Sequence, residues 1–145
     1  MATFNKFNQF VEDVAGGVHD LQAGTPDVFK VMLTLTVPAS TNEVKADLTE
    51  IAAGDGYTAG GNTAAFTTGE QTSGTFKLVL ADPAQWVAAA GTFADFRYAV
   101  LYNDTPLIPA DPLIGWWDYG ATISLGAGET FDVDLSAANG VLTLV

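Results

Sequence analysis

The stretch FADFRYAVLYNDTPLIPADPLIGWWDYGATISLGAGETFDVDL, Phe93 to Leu135, decides the fold class, because the alternation of large apolar with small or polar residues is densest there. Phe96, Tyr98, Val100 and Tyr102 fall at period two, as do Phe131, Val133 and Leu135. Side chains two apart on a strand leave from one face. The other face of the last run carries Asp132, Asp134 and Ser136, the pattern of a sheet packed on one side and wet on the other. The stretch therefore predicts a central strand near 96–102, another near 113–117 and a hairpin through Gly126-Ala127-Gly128. Phe96, Tyr98, Val100, Ile123, Phe131, Val133 and Leu135 are the predicted core.

Upstream, Phe4, Phe7, Phe10, Val11, Val14, Val18 and Leu21 recur at steps of three and four, with Asn5, Lys6, Glu12 and Asp13 opposite. That spacing predicts an amphipathic helix of about three or four turns, capped by Thr3 and ended by Gly16-Gly17, since a mid-helix glycine costs about 1 kcal/mol relative to alanine. Its phenylalanine face needs cover, either from the chain's own sheet or from a neighbouring subunit. Residues 1–24 thus form a helical N-terminal segment or a docking arm.

Between these two regions, Phe29, Val31, Leu33, Leu35 and Val37 alternate with Lys30, Met32, Thr34 and Thr36 up to Pro38, which predicts a long strand. Val44, Leu48 and Ile51 after Ser40-Thr41 predict a second, short helix. GDGYTAGG is loop, and the runs around Phe66, Phe76 to Leu80 and Trp86 are weaker strands. Asn139-Gly140 between alternating runs predicts a type I′ hairpin, with Val145 ending the chain inside a strand. The result is a mainly β chain of about eight or nine strands. We expect one domain over 1–145, a β-sandwich of jelly-roll or related type with an N-terminal helix and one short additional helix.

Seventeen acidic and five basic residues set the formal charge at −12, a field that repels phosphate backbones and anionic lipid. Nucleic acid and membrane are not expected partners. With 48% hydrophobic and only 15% charged residues, the chain has the composition of a folded domain. Its lean polar surface over so much apolar content predicts a homo-oligomer. Zero cysteines suit a reducing cytoplasm and remove disulfides and thiolate chemistry. MATFNKFNQFVEDV has no continuous apolar run, so neither a signal peptide nor a membrane span is expected there.

Little in the sequence carries catalysis. His19 is the only histidine, set among Gly16, Gly17, Asp20 and Gly24, where a polar side chain serves a helix exit. A catalytic zinc site needs three protein ligands with several His or Cys among them. Asp95, Asp104, Asp111 and Asp118 recur near predicted strand ends beside Trp116, Trp117 and Tyr119. They read as turn formers, although paired acids across a sugar cleft use the same residue type. GDGYTAGG has one acid, unlike a calcium loop, and lacks the lysine of a phosphate cradle. Arg97, the only arginine, is expected to fork onto Asp95 or Asp118, or onto an acid of another subunit. No catalytic, cofactor-binding or metal-binding residue is assigned, and the chain is read as a non-enzyme. The interaction candidates are Phe4, Phe7, Phe10, Arg97, Trp116, Trp117 and Tyr119.

Taken together, FVEDVAGGVHDL, EIAAGDGYTAGG, FRYAVLYNDT, PLIGWWDYG and GETFDVDLSAANGVLTL resemble a family of small virion proteins of tailed bacteriophages, the capsid decoration or cement proteins. The resemblance implies a β-rich homotrimer, made in the host cytoplasm, that adds to the outside of the head, binds the major capsid protein lattice and needs no cofactor. It carries over no active-site residues. A tail or head–tail connector component is the alternative within the virion. A carbohydrate-binding module displaying Trp116, Trp117 and Tyr119 is the alternative from another class.

Overall fold

Strand Phe96–Asn103 lies at the centre of a five-stranded antiparallel sheet. The computed structural model describes residues 2–89 and 91–145. In chain order its elements are β1 (Phe4–Lys6), α1 (Gln9–Ala15), β2 (Phe29–Thr34), β3 (Asn62–Ala64), β4 (Phe66–Thr72), β5 (Thr75–Leu80), β6 (Trp86–Val87), β7 (Phe96–Asn103), β8 (Leu113–Ile123), β9 (Thr130–Phe131) and β10 (Leu142–Leu144). They form three antiparallel sheets ordered β1-β8-β7-β2-β3, β10-β5-β4 and β6-β9. The chain is mainly β. No helix among the described residues is long and apolar enough to cross a membrane.

The two central strands are covered on both faces, whereas the run from Phe131 keeps Asp132 and Asp134 exposed and Leu135 buried. Phe29, Val31 and Leu33 of β2 and Ala99 and Leu101 of β7 enter a large buried cluster with Leu78 and Leu80 of β5, Trp86 of β6 and Leu142 of β10. On the other face Met32, Val100 and Tyr102 form a second cluster with Phe7, Leu48 and Leu113. The cover for that face comes from the segment after β2, where Leu113 N–H donates to Glu43 O (2.9 Å) and Lys45 N–H to Asp111 O (3.0 Å).

Those bonds also explain why the second predicted helix is absent. Only a single 3₁₀ turn, Lys45–Asp47, forms there. Leu48 and Ile51 enter different clusters, and a helix would place them on one side. The Asp47 carboxylate accepts from the backbone of Glu43 (2.8 Å) and Val44 (3.2 Å), so the local polar groups are satisfied without helical bonding.

The N-terminal stripe is likewise divided between two elements. Phe4 lies on β1 opposite Trp117, Phe7 N–H continues the pairing to Ile114 O (3.2 Å), and the helix is only the seven residues Gln9–Ala15. Its exit is as expected: Gly17 N–H returns to Val14 O (3.2 Å) and Val18 N–H to Asp13 O (2.8 Å), a Schellman closure.

Downstream, β8 runs to Ile123, which pairs with Phe96. No hairpin forms at Gly126–Gly128, because β9 pairs with β6 (Phe131 opposite Trp86). Nor is Asn139-Gly140 a type I′ hairpin: Gly140 N–H bonds Ser136 O (2.9 Å), and β10 pairs with β5. Val145 lies beyond the last strand and is exposed. In the predicted core, Phe96, Tyr98, Val100 and Leu135 are buried, while Ile123, Phe131 and Val133 are half-buried at its margin.

Candidate functional site

Of the interaction candidates, Phe7 and Phe10 have no exposed surface (0% each), and the chain's own sheet covers them. The Phe7 ring packs on Trp116 with centroids 4.5 Å apart, and Phe4 packs on Trp117 at 5.1 Å. Trp116 and Trp117, adjacent in sequence, sit against opposite buried clusters. A strand sends neighbours to opposite faces, so the two tryptophans do not form one shared platform. Tyr119, two residues beyond Trp117 and 63% exposed, meets Phe131 edge-on at 6.2 Å and 74°.

Arg97 reaches from β7 to the neighbouring strand β8 and forks onto Asp118, Nε to Oδ1 at 2.8 Å and Nη2 to Oδ2 at 2.9 Å. Gly120 N–H also donates to Asp118 Oδ1 (2.7 Å). The guanidinium, and then the Gly120 amide, hold the Asp118 carboxyl below the usual carboxylate range. Asp118 in turn raises Arg97. Both side chains are more than a third exposed, so the pair is screened by solvent and serves to orient the arginine. Its guanidinium carbon lies over Tyr98, 5.3 Å from the ring centroid.

Arg97, Trp117 and Tyr119 come together along an open groove of about 200 Å³, whose opposite wall is Phe131, Asp132 and Asp134. That opposite wall was not legible locally, because the pairing of β9 with β6 is what carries it beside β8. No protein-family model matches the chain. No curated protein and no solved structure gives a significant match.

His19 is buried away from that groove. The Asn103 amide nitrogen donates to Asp27 Oδ2 (2.6 Å) and stands 3.0 Å from His19 Nδ1, so Nδ1 accepts and Nε2 carries the proton. Nε2 lies 3.9 Å from Asp13 Oδ2, and neither atom has a hydrogen-bond partner among the described residues. Burial lowers the His19 pKa against the opposing pull of Asp13 and Asp27. The group joins the loop after α1 to β7 and sets His19 beside Asp13 of α1.

This arrangement makes stability pH-dependent. The folded chain resists protonation at His19 while the unfolded chain takes up a proton near pH 6.5, so stability is full above that value and falls as pH drops through it. The slope from this group is at most about 1.4 kcal/mol per pH unit. Urea titrations between pH 7.5 and 5 should show the loss, and His19→Gln should flatten it.

The glycine-rich loop is structural too. Glu50 Oε1 accepts from the Tyr57 hydroxyl (2.6 Å) and from Gly60 N–H, and Lys45 pairs with Glu50 Oε2 (3.0 Å). Tyr57, buried and bonded to that carboxylate, has its pKa pushed far up. Of the strand-end acids, Asp104 pairs with Lys30 at 2.8 Å. Among the described residues no three His, Asp or Glu side chains are grouped to hold a metal ion.

Proposed function

We propose that this chain is a non-enzymatic structural protein of a tailed-bacteriophage virion, a decoration protein that binds the outside of the head as a homotrimer and reinforces it. The three sheets are read, in the same proposal, as a β-sandwich of jelly-roll or related type, since one buried cluster draws on all three. Long-range NMR contacts between Leu78 or Leu80 and Val31 or Leu101 should be present, and their absence would remove that part.

The observation that carries the reading is the tip of the β7–β8 loop, where Leu107 is 86% and Ile108 93% exposed. The loop is held from both sides: Asp104 N–H bonds Val28 O (2.8 Å), Val28 N–H bonds the Thr105 hydroxyl (2.7 Å), and Asn103 N–H bonds Pro112 O (3.0 Å). A firmly held apolar tip on a chain of charge −12 suits docking on a protein surface better than contact with a polyanion. The sequence resemblance supplies the identity of that surface, the capsid lattice.

Mixing the purified protein with undecorated heads is the test. It should co-sediment with them and raise their disruption temperature, and Leu107→Asp combined with Ile108→Asp should weaken binding at least about tenfold, since burying each side chain contributes roughly 1.5–3 kcal/mol. Binding to tails alone would instead favour the tail or connector assignment. Light scattering should give three times the 15.1 kDa chain mass, and a monomer at low and high salt would refute the trimer.

A further inference from the structure

We propose that the groove between β8 and the segment 131–134 is a binding site for one ring of a neutral sugar. Its apolar lining includes Trp117, Tyr119 and Phe131 beside smaller aliphatic residues, with Arg97, Asp132 and Asp134 around them. Trp117 and Tyr119 are alternate residues of one strand and so project to one side of it. Phe131 stands nearly perpendicular to Tyr119 at 74°, which makes a corner of aromatic surface with two directions of contact.

The polar atoms around that corner narrow the ligand class. Arg97 spends Nε and Nη2 on Asp118, and its Nη1 has no partner among the described residues. Asp132 Oδ2 accepts from Gln85 (2.8 Å) and Asp134 Oδ1 from Ser136 N–H (2.8 Å), leaving the second oxygen of each carboxylate. Trp117 Nε1–H and the Tyr119 hydroxyl have no partner among the described residues. The groove therefore offers donors and acceptors side by side. An anion would meet the two carboxylates. A cation would meet Arg97 and leave the donors unanswered, and a purely apolar ligand would strip water from all of them without replacement. A hydroxyl both donates and accepts, and the C–H face of a pyranose is apolar enough to stack on an aromatic ring. At about 200 Å³ the space is below the roughly 300–1,000 Å³ of sites for drug-sized ligands, which points to a single ring.

The site is independent of head binding and is tested on the full chain by NMR. The probes are methyl β-glucopyranoside, methyl β-galactopyranoside and methyl α-mannopyranoside, with choline and glucuronate as charged comparators. At least one neutral glycoside should move the Trp117 indole and Tyr119 amide signals and saturate with Kd on the order of 1 mM. Tyr119→Ala, a change at an exposed position, should raise that Kd at least about tenfold, the loss of one stacking face. Trp116→Phe, on the other side of the sheet, should leave it unchanged. Three glycosides without effect at about 50 mM, undiminished binding by Tyr119→Ala, or a response to choline or glucuronate alone would each overturn the assignment.

Discussion

Phe10→Ala is expected to lower the free energy of unfolding by about 3–5 kcal/mol. The ring has no exposed surface and belongs to the same buried cluster as Phe29, Leu33 and Leu101, with His19 against it at 5.2 Å between centroids. Its strand neighbours are fixed by hydrogen bonds on both edges of β2 and β7, so they cannot collapse into the space left behind. A domain of ordinary stability has only about 5–15 kcal/mol to lose, and the urea midpoint should fall by more than about 1 M. Phe131→Ala should cost less, because Phe131 is half-buried. Removing residues 1–14 should be worse than either, since it takes away β1, most of α1 and both buried rings; circular dichroism of the truncated chain checks this. A loss under about 1 kcal/mol for Phe10→Ala would mean that the segment is a detachable arm after all.

That expectation rests on something the spacing of phenylalanines does not reveal. Steps of three and four residues suit one helix, but here Phe4 and Phe7 belong to an extended segment whose alternate residues straddle the edge of the sheet, and only Phe10 is helical. A strand–helix junction can reproduce a helical stripe over so few residues, and nothing local separates the two. The central strand is different. FRYAVLYN alternates over enough residues that its strand character was plain, and Arg97 found one of the two acids expected for it.

Faces were harder to read than strands. The register of β7 against β8 shifts between Phe96 and Tyr98 and again between Leu101 and Tyr102. Phe96 consequently joins the large cluster with Leu101, while Val100 and Tyr102 join the smaller one, although period two groups Phe96 with Val100. A bulge exchanges faces without any mark in the hydrophobic pattern. The same limit hid the groove: Trp117 and Tyr119 were visible as aromatic candidates, but Asp132 and Asp134 reach them only through the pairing of β6 with β9, where Trp86 stands opposite Phe131 across a long stretch of chain.

Gly61→Ala is expected to be among the most damaging single-methyl changes in the chain, with a loss above about 4 kcal/mol or failure to fold. Gly61 leads into β3 with φ +72, and a Cβ there would lie 1.9 Å from Val31 O and 2.8 Å from Met32 Cα. Those atoms are backbone of β2, which is paired to β7 on one side and β3 on the other, so they cannot withdraw without breaking the five-stranded sheet. Gly74→Ala separates the two contributions. Gly74 has a similar φ of +86 and nothing within 4 Å of the added carbon, so it should cost only the left-handed backbone penalty of about 1–2 kcal/mol. The difference between the two variants in urea denaturation then reads the cost of contact at β2 alone. Equal losses would show that β3 can move away from β2, and that the edge of the sheet at GDGYTAGG is softer than its hydrogen bonding to Glu50 requires.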